Sequence, residues 1–182
     1  MSEHLQYLGL SEENLPQASK LAERVFSYLL PSAVRPDACF RASLDPTKLD
    51  ELNRKIDGES EAEKRLAPQL QYWIATLRGR IVGVTGLYRT VDDNPDVRWL
   101  GWFCLDDSPE VRGQGFGDEL IQFTIDQARR EGTKILRIET SDVPEEQIAQ
   151  KVYEKAGFRI ASTEPHPSHG HNWIIRERNL EE

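Results

Sequence analysis

The sequence predicts an α/β fold, α+β in arrangement, in which helices flank a mixed β-sheet of about six to seven strands. Three observations carry this. Short runs of branched and aromatic residues alternate with amphipathic stretches along the 182 residues. A strand pattern over Val97–Leu105 passes through a glycine-rich loop into a helical pattern and then into a second strand pattern at residues 134–140. That order requires parallel pairing through a right-handed crossover. Two further strand patterns, residues 72–77 and 81–88, flank Arg78-Gly79-Arg80, which is the signature of an antiparallel hairpin.

The remaining elements follow in chain order. Residues 5–10 read as a short strand, and the helix after it takes Asn14 as N-cap with Pro16 in its first turn. Leu15, Ala18, Ala22, Val25, Phe26 and Leu29 form its apolar face, and Pro31 and Pro36 break the pattern. Residues 45–67 are charged and helix-prone with sparse apolar anchors at Leu49, Leu52, Ile56 and Leu66. They read as an exposed helical excursion closed by Pro68. Asp92-Asp93-Asn94-Pro95 is a turn into the strand Val97–Leu105. Leu120, Ile121, Thr124, Ile125 and Ala128 recur at helical spacing over residues 118–131, and Gly132 stops the helix. A last helix starts near Pro144, buries Ile148, Ala149 and Val152, and ends at Gly157 in a left-handed cap. Residues 158–161 and 173–178 are the final strands. Without repeats or linkers, residues 1–182 read as one domain.

Composition narrows the function. A 38% hydrophobic content and a mean hydropathy of −0.60 describe a well-charged surface. No run approaches the ~18 apolar residues of a membrane span, and Met1-Ser2-Glu3-His4 has neither part of a secretion signal. The expectation is a cytoplasmic protein without membrane association. Cys39 and Cys104 are too few for a disulfide framework and read as reduced thiols. The chain carries 31 acidic against 23 basic residues and a net charge of −8. No basic block is long enough to bind nucleic acid, so a small amine-bearing partner is electrostatically easier.

The segment Arg112-Gly113-Gln114-Gly115-Phe116-Gly117 carries the most chemistry. Glycine tolerates positive φ and has no Cβ, so successive N–H groups can converge on an anion. The following helix adds its free first-turn donors and positive dipole end, and Arg112 adds a permanent charge. A dinucleotide fingerprint would need glycine where Asp118 stands, and a P-loop would need a Gly-Lys-Ser/Thr ending. The competing reading is a helix entry that uses glycine only for a tight turn.

The remaining pattern, R-x-x-G-x-G through Arg112, Gly115 and Gly117, resembles the acyl-CoA-binding motif of the GNAT superfamily of N-acetyltransferases. A second stretch, Ala149-Gln150-Lys151-Val152-Tyr153-Glu154-Lys155-Ala156-Gly157-Phe158, is similar to the family's A-x-x-L-Y-E-K-x-G-F. The resemblance runs closely over residues 99–158 and loosely from residue 72. It divides the chain into a variable, acceptor-shaping region at about residues 1–70, an acetyl-CoA-binding core at about 71–160, and C-terminal strands at about 158–180.

The resemblance implies a centrally splayed sheet and acetyl-CoA as co-substrate. Its diphosphate would lie on Arg112 to Gly117, with its thioester near the main chain of Leu105 or Phe103. Residues 135–140 would form the strand that parts from 97–105. Tyr153 would be the proton donor to the departing thiolate, and its competing role is packing. The implied reaction is N-acetyl transfer to a primary amine of a small molecule or peptide by direct attack through a tetrahedral intermediate. A non-catalytic acyl-CoA sensor or scaffold is the alternative. A toxin acting on charged transfer RNA is disfavoured by the acidic balance.

Two departures stand out. The segment from Leu105 to Val111 is a residue or two longer than the family's spacing, and Glu146 replaces a frequent asparagine. For a general base the candidates are Glu139, Asp96, Asp106 and Asp107. Cys104 reads as a small hydrophobe rather than a nucleophile. The segment from Pro165 to His171 lacks cysteines and a ligand scaffold, so no metal is expected there. It is placed, with residues 27–71, beside the acceptor pocket. A possible homodimer, through the sheet edge or the last strands, is a further implication of the resemblance.

Overall fold

A computed structural model describes residues 3–29, 32–59, 63–166 and 170–182. The elements run β1 (Gln6–Gly9), α1 (Leu15–Val25), α2 (Pro36–Leu44), α3 (Pro46–Glu59), β2 (Gln71–Leu77), β3 (Arg80–Tyr88), β4 (Val97–Leu105), α4 (Phe116–Arg130), β5 (Ile135–Ser141), α5 (Gln147–Lys155), β6 (Arg159–Pro165) and β7 (Asn172–Asn179). A single 3-10 turn, Pro144–Glu146, leads into α5. The seven strands form one sheet in the order β1-β2-β3-β4-β5-β7-β6. Every neighbouring pair is antiparallel except β4 with β5, which is parallel as the crossover order requires.

Local chemistry accounts for the β2–β3 hairpin. Arg78 (φ 52°) and Gly79 (φ 77°) both take left-handed conformations, the pair of angles whose twist matches that of flanking strands. Alternation along the strands then divides the core. Tyr72, Ile74, Val84 and Cys104 face α1, α2 and α3, while Trp73, Leu87 and Leu100 face α4 and α5 with Ile121, Ile125 and Phe158. A buried Thr85–Thr124 hydroxyl pair at 2.7 Å ties β3 to α4.

The structure departs from the sequence reading in four places. The first helix ends at Val25, so Phe26 caps it and Leu29 lies past it, 37% exposed, outside its apolar face. Pro36 does not only break the preceding pattern; it opens α2 at the first helical position, where the missing N–H costs nothing. The stretch at 45–67 is not an exposed helical excursion. Its helix, α3, described over Pro46–Glu59, buries Leu49, Leu52 and Ile56. The Asn53 side chain then holds Leu66 from both sides, donating to its carbonyl at 3.0 Å and accepting from its amide at 2.8 Å. Leu66 is thereby fixed in an extended bridge to Thr90. Finally, Ile148 is 61% exposed. The apolar stripe of α5 runs through Ala149, Val152, Tyr153 and Ala156, and Ile148 sits one residue, ~100°, off that stripe.

Candidate active site at the parting of β4 and β5

The two central parallel strands pair at only three positions, Val97 with Ile135, Arg98 with Leu136 and Trp99 with Arg137. Beyond Trp99, β4 stays with β3 and β5 stays with β7, so a gap opens along the C-terminal half of β4. Trp102 lies at a bulge in β4, with φ 47° and a register shift opposite Val84 to Gly86. Past the bulge the Asp106 amide donates to Val82 O at 2.7 Å. Antiparallel alternation therefore turns the amides of Leu105 and Phe103 away from β3, into the gap that β5 has left.

The glycine loop follows directly. Gly113 (φ 73°) and Gly115 (φ 83°) both occupy the left-handed region, with open space where a Cβ would stand. Gly115 is the N-cap residue of α4, so the free first-turn amides of that helix face outward beside it. Arg112 and Gln114 are exposed, whereas the Phe116 ring is buried against Val111 and Leu120, leaving only its main chain for a ligand. Gly117 lies close to Val152, where an added Cβ would come within 3.2 Å. Two carboxylates in the first turn would repel an anion, but both are engaged. Asp118 pairs with Lys155, and Glu119 accepts from the Leu5 amide at 2.8 Å. The loop thus has the donors, the space and the local charge balance that a diphosphate needs.

Tyr153 projects from α5 into the same gap. It is 6% exposed, and its ring tilts against Phe103 with centroids 5.8 Å apart. Its hydroxyl makes no hydrogen bond to any described residue and lines the cleft. Burial above all, then the charge of Glu146, pushes its pKa well above the ordinary phenol range, so it stays protonated. Glu146 is itself fully engaged. It accepts from the Ser141 amide at 2.5 Å, from the Ser141 and Thr140 hydroxyls, and from the Tyr28 hydroxyl at 2.9 Å.

Of the four carboxylates considered as bases, the structure brings one to the cleft. Asp96 precedes β4 at the end opposite Leu105. Burial would raise the Asp106 carboxyl, but hydrogen bonds from Arg24 and the Ser108 amide, with Arg80 nearby, hold it below the usual range. Asp107 lies 3.7 Å from Arg24. Glu139 stands on β5 in the cleft wall, reached by solvent yet closely surrounded by protein. Burial, followed by Glu63 and Glu146, raises its carboxyl. Cys104 is sealed in the core, its thiol pushed up to about 12 by burial, which removes it as a nucleophile.

The cleft has a volume of about 920 Å³. Tyr28, Arg35 and Glu63 bring the variable region to it, and His166 and His171 bring the loop before β7. Trp99, Trp102 and Trp173 line it, while Trp73 belongs to the core. Among the described residues no group of three His, Cys, Asp or Glu side chains is placed to hold a metal. His169 lies outside the described residues.

Among the described residues, then, a mixed sheet is parted at its one parallel pair, with a glycine loop beside the gap and a tyrosine against it. The family model for the Acetyltransferase (GNAT) family matches residues 36–158, and the chain belongs to that family. Among curated proteins it is similar to "Probable N-acetyltransferase camello" of Xenopus tropicalis, 28% identical over 102 residues that make up 56% of this chain. The match spans 44% of that relative's own length. Among solved structures it resembles a Desulfovibrio desulfuricans protein assigned as a GNAT-family acetyltransferase, with a TM-score of 0.63, 18% identity and coverage of 97% and 99% of the two chains. It also resembles yncA of Salmonella typhimurium, assigned as an acetyltransferase and solved with its cofactor acetyl-CoA. There the TM-score is 0.65 at 14% identity, covering 98% and 95%. At these identities the structural likeness shows the fold. Among the described residues no helix is long and apolar enough to cross a membrane.

Proposed function

We propose that this protein moves an acetyl group from acetyl-CoA to a primary amine of a small molecule or peptide. The observation that carries the reading is the pair of β4 amides, Phe103 and Leu105, turned into the gap between the glycine loop and Tyr153. Acetyl-CoA would supply an activated acetyl thioester; the C–N bond would form first, and the C–S bond would break as the tetrahedral intermediate collapses. Arg112 and the amides of residues 113–117 would hold its diphosphate. The Leu105 amide would donate to the thioester oxygen as negative charge grows there, a contribution of ~3–4 kcal/mol where comparable donors have been removed. Tyr153 would give its hydroxyl proton to the departing sulfur, and the proton lost by the amine would pass to water in the cleft. Burial and Glu146 keep that phenol protonated at neutral pH, so the proton is present when the sulfur departs.

The test is calorimetry with coenzyme A followed by thiol release from acetyl-CoA across a panel of primary amines. Binding and amine-dependent release are expected. Failure to bind the nucleotide would overturn the reading. A second reading, a non-catalytic acyl-CoA sensor or scaffold, is favoured by Glu146, whose carboxylate is spent on β5 and Tyr28. Binding without amine-dependent release would support it.

A further inference from the structure

Glu139 differs from its neighbours. Side chains at alternate positions of β5 share one face, so Arg137, Glu139 and Ser141 stand in a row on the side of the sheet opposite Leu136 and Ile138. Arg137 is engaged by Glu177 at 2.9 Å and lies over the Trp99 ring at 5.7 Å. Ser141 is engaged by Glu146. Glu139 alone of the three makes no hydrogen bond or ion pair with any described residue. Across β7 it faces Ile175, with Trp173 two residues along. On its other side, extension of the β4–β5 register past Trp99 and Arg137 would bring Gly101, which has no side chain to close the gap.

The surroundings favour positive charge. Glu63, Glu145, Glu146 and Glu164 share the cleft with Glu139. The long-chain cations that line it are spent, Arg35 on Glu23 at 2.6 Å and Lys64 near Asp92 at 3.7 Å. Trp99, Trp102, Trp173 and Tyr88 supply aromatic faces, which attract ammonium groups. Tyr153, a 6% exposed residue whose hydroxyl makes no hydrogen bond to any described residue, lines the same cleft and independently marks it as a place for a ligand.

We propose that the acceptor is a small dication, an alkyl amine with a second positive charge, whose distal ammonium is held by the Glu139 carboxylate between Trp173 and the Tyr88–Trp99 pair. This rests on the N-acetyltransferase reading for its reactive amine, but the cation site makes its own prediction. Affinities of diaminobutane and of aminobutanol, which replaces one ammonium by a hydroxyl, are measured by calorimetry on the full chain with coenzyme A present. Thiol release with both amines is measured in parallel.

The diamine should bind at least about ten-fold more tightly than the amino alcohol, the size of one charged hydrogen bond. Glu139→Gln should remove most of that preference, and Glu139→Asp, which keeps the charge, should restore part of it. Preferential binding that depends on Glu139 but is never followed by thiol release would leave the cation site standing and remove the transferase reading. Transfer to both amines with equal kcat/KM, unchanged by Glu139→Gln, would overturn the dication proposal and leave the transferase intact. Failure of both amines to bind would overturn it as well.

Discussion

At the scale of single residues, the site is set by which polar groups are spent and which are left over. Tyr153 is left over, and Tyr153→Phe should lower kcat by about 100-fold with coenzyme A affinity unchanged in calorimetry. An equal loss of affinity would mean that the ring only packs. Arg112 is exposed and makes no ion pair with any described residue. Arg112→Ala should weaken coenzyme A by about ten-fold at low salt, and by less as salt is added. Asp106 is spent on Arg24, which makes it structural. Its carboxyl titrates lower in the fold than in the unfolded chain, so the stability it adds is present above about pH 4. That stability is lost as pH falls through the folded value. Melting temperatures of Asp106→Asn should therefore fall less steeply than wild type on acidification below pH ~4.

At the scale of elements, β4, the glycine loop and α4 form one continuous segment, proposed above to hold coenzyme A, and its geometry depends on Gly115. With φ at 83°, alanine there is strained by ~1–2 kcal/mol in spite of open space. Gly115→Ala should weaken coenzyme A while changing the global melt little. This unit was legible in the sequence because strand, glycine and helix signals are local and each has one cause. The hairpin at Arg78-Gly79 and the left-handed stop at Gly157 were legible for the same reason. α2 was not, since a proline that opens a helix looks the same in sequence as one that ends the preceding pattern. Nor was the burial of α3, which depends on contacts with α2 and on Asn53 gripping Leu66. Phe40 in α2 is fully buried, so Phe40→Ala should cost ~3–5 kcal/mol in denaturant unfolding. The four candidate bases were indistinguishable in sequence, because only the fold reveals that Arg24 takes Asp106 and that Asp96 sits at the wrong end of β4.

At the scale of the molecule, the elements divide the labour. The family model covers residues 36–158, including β4, the glycine loop and α4, the proposed donor side. The walls of the cleft are completed by Phe26 and Tyr28 from before that stretch and by Trp173 and Ile175 from after it. The acceptor side can therefore vary in sequence without disturbing the glycine loop. The three-rung ladder between β4 and β5 has a mechanical corollary. Two plates, β1 to β4 and β5 to β7, are joined by backbone hydrogen bonds at one end only, over a shared core. A nucleotide lodged across the open end would act as a clasp, and at 100 times its dissociation constant it would add ~2.7 kcal/mol of stability. Amide exchange should then slow in both plates together, including strands that no ligand touches.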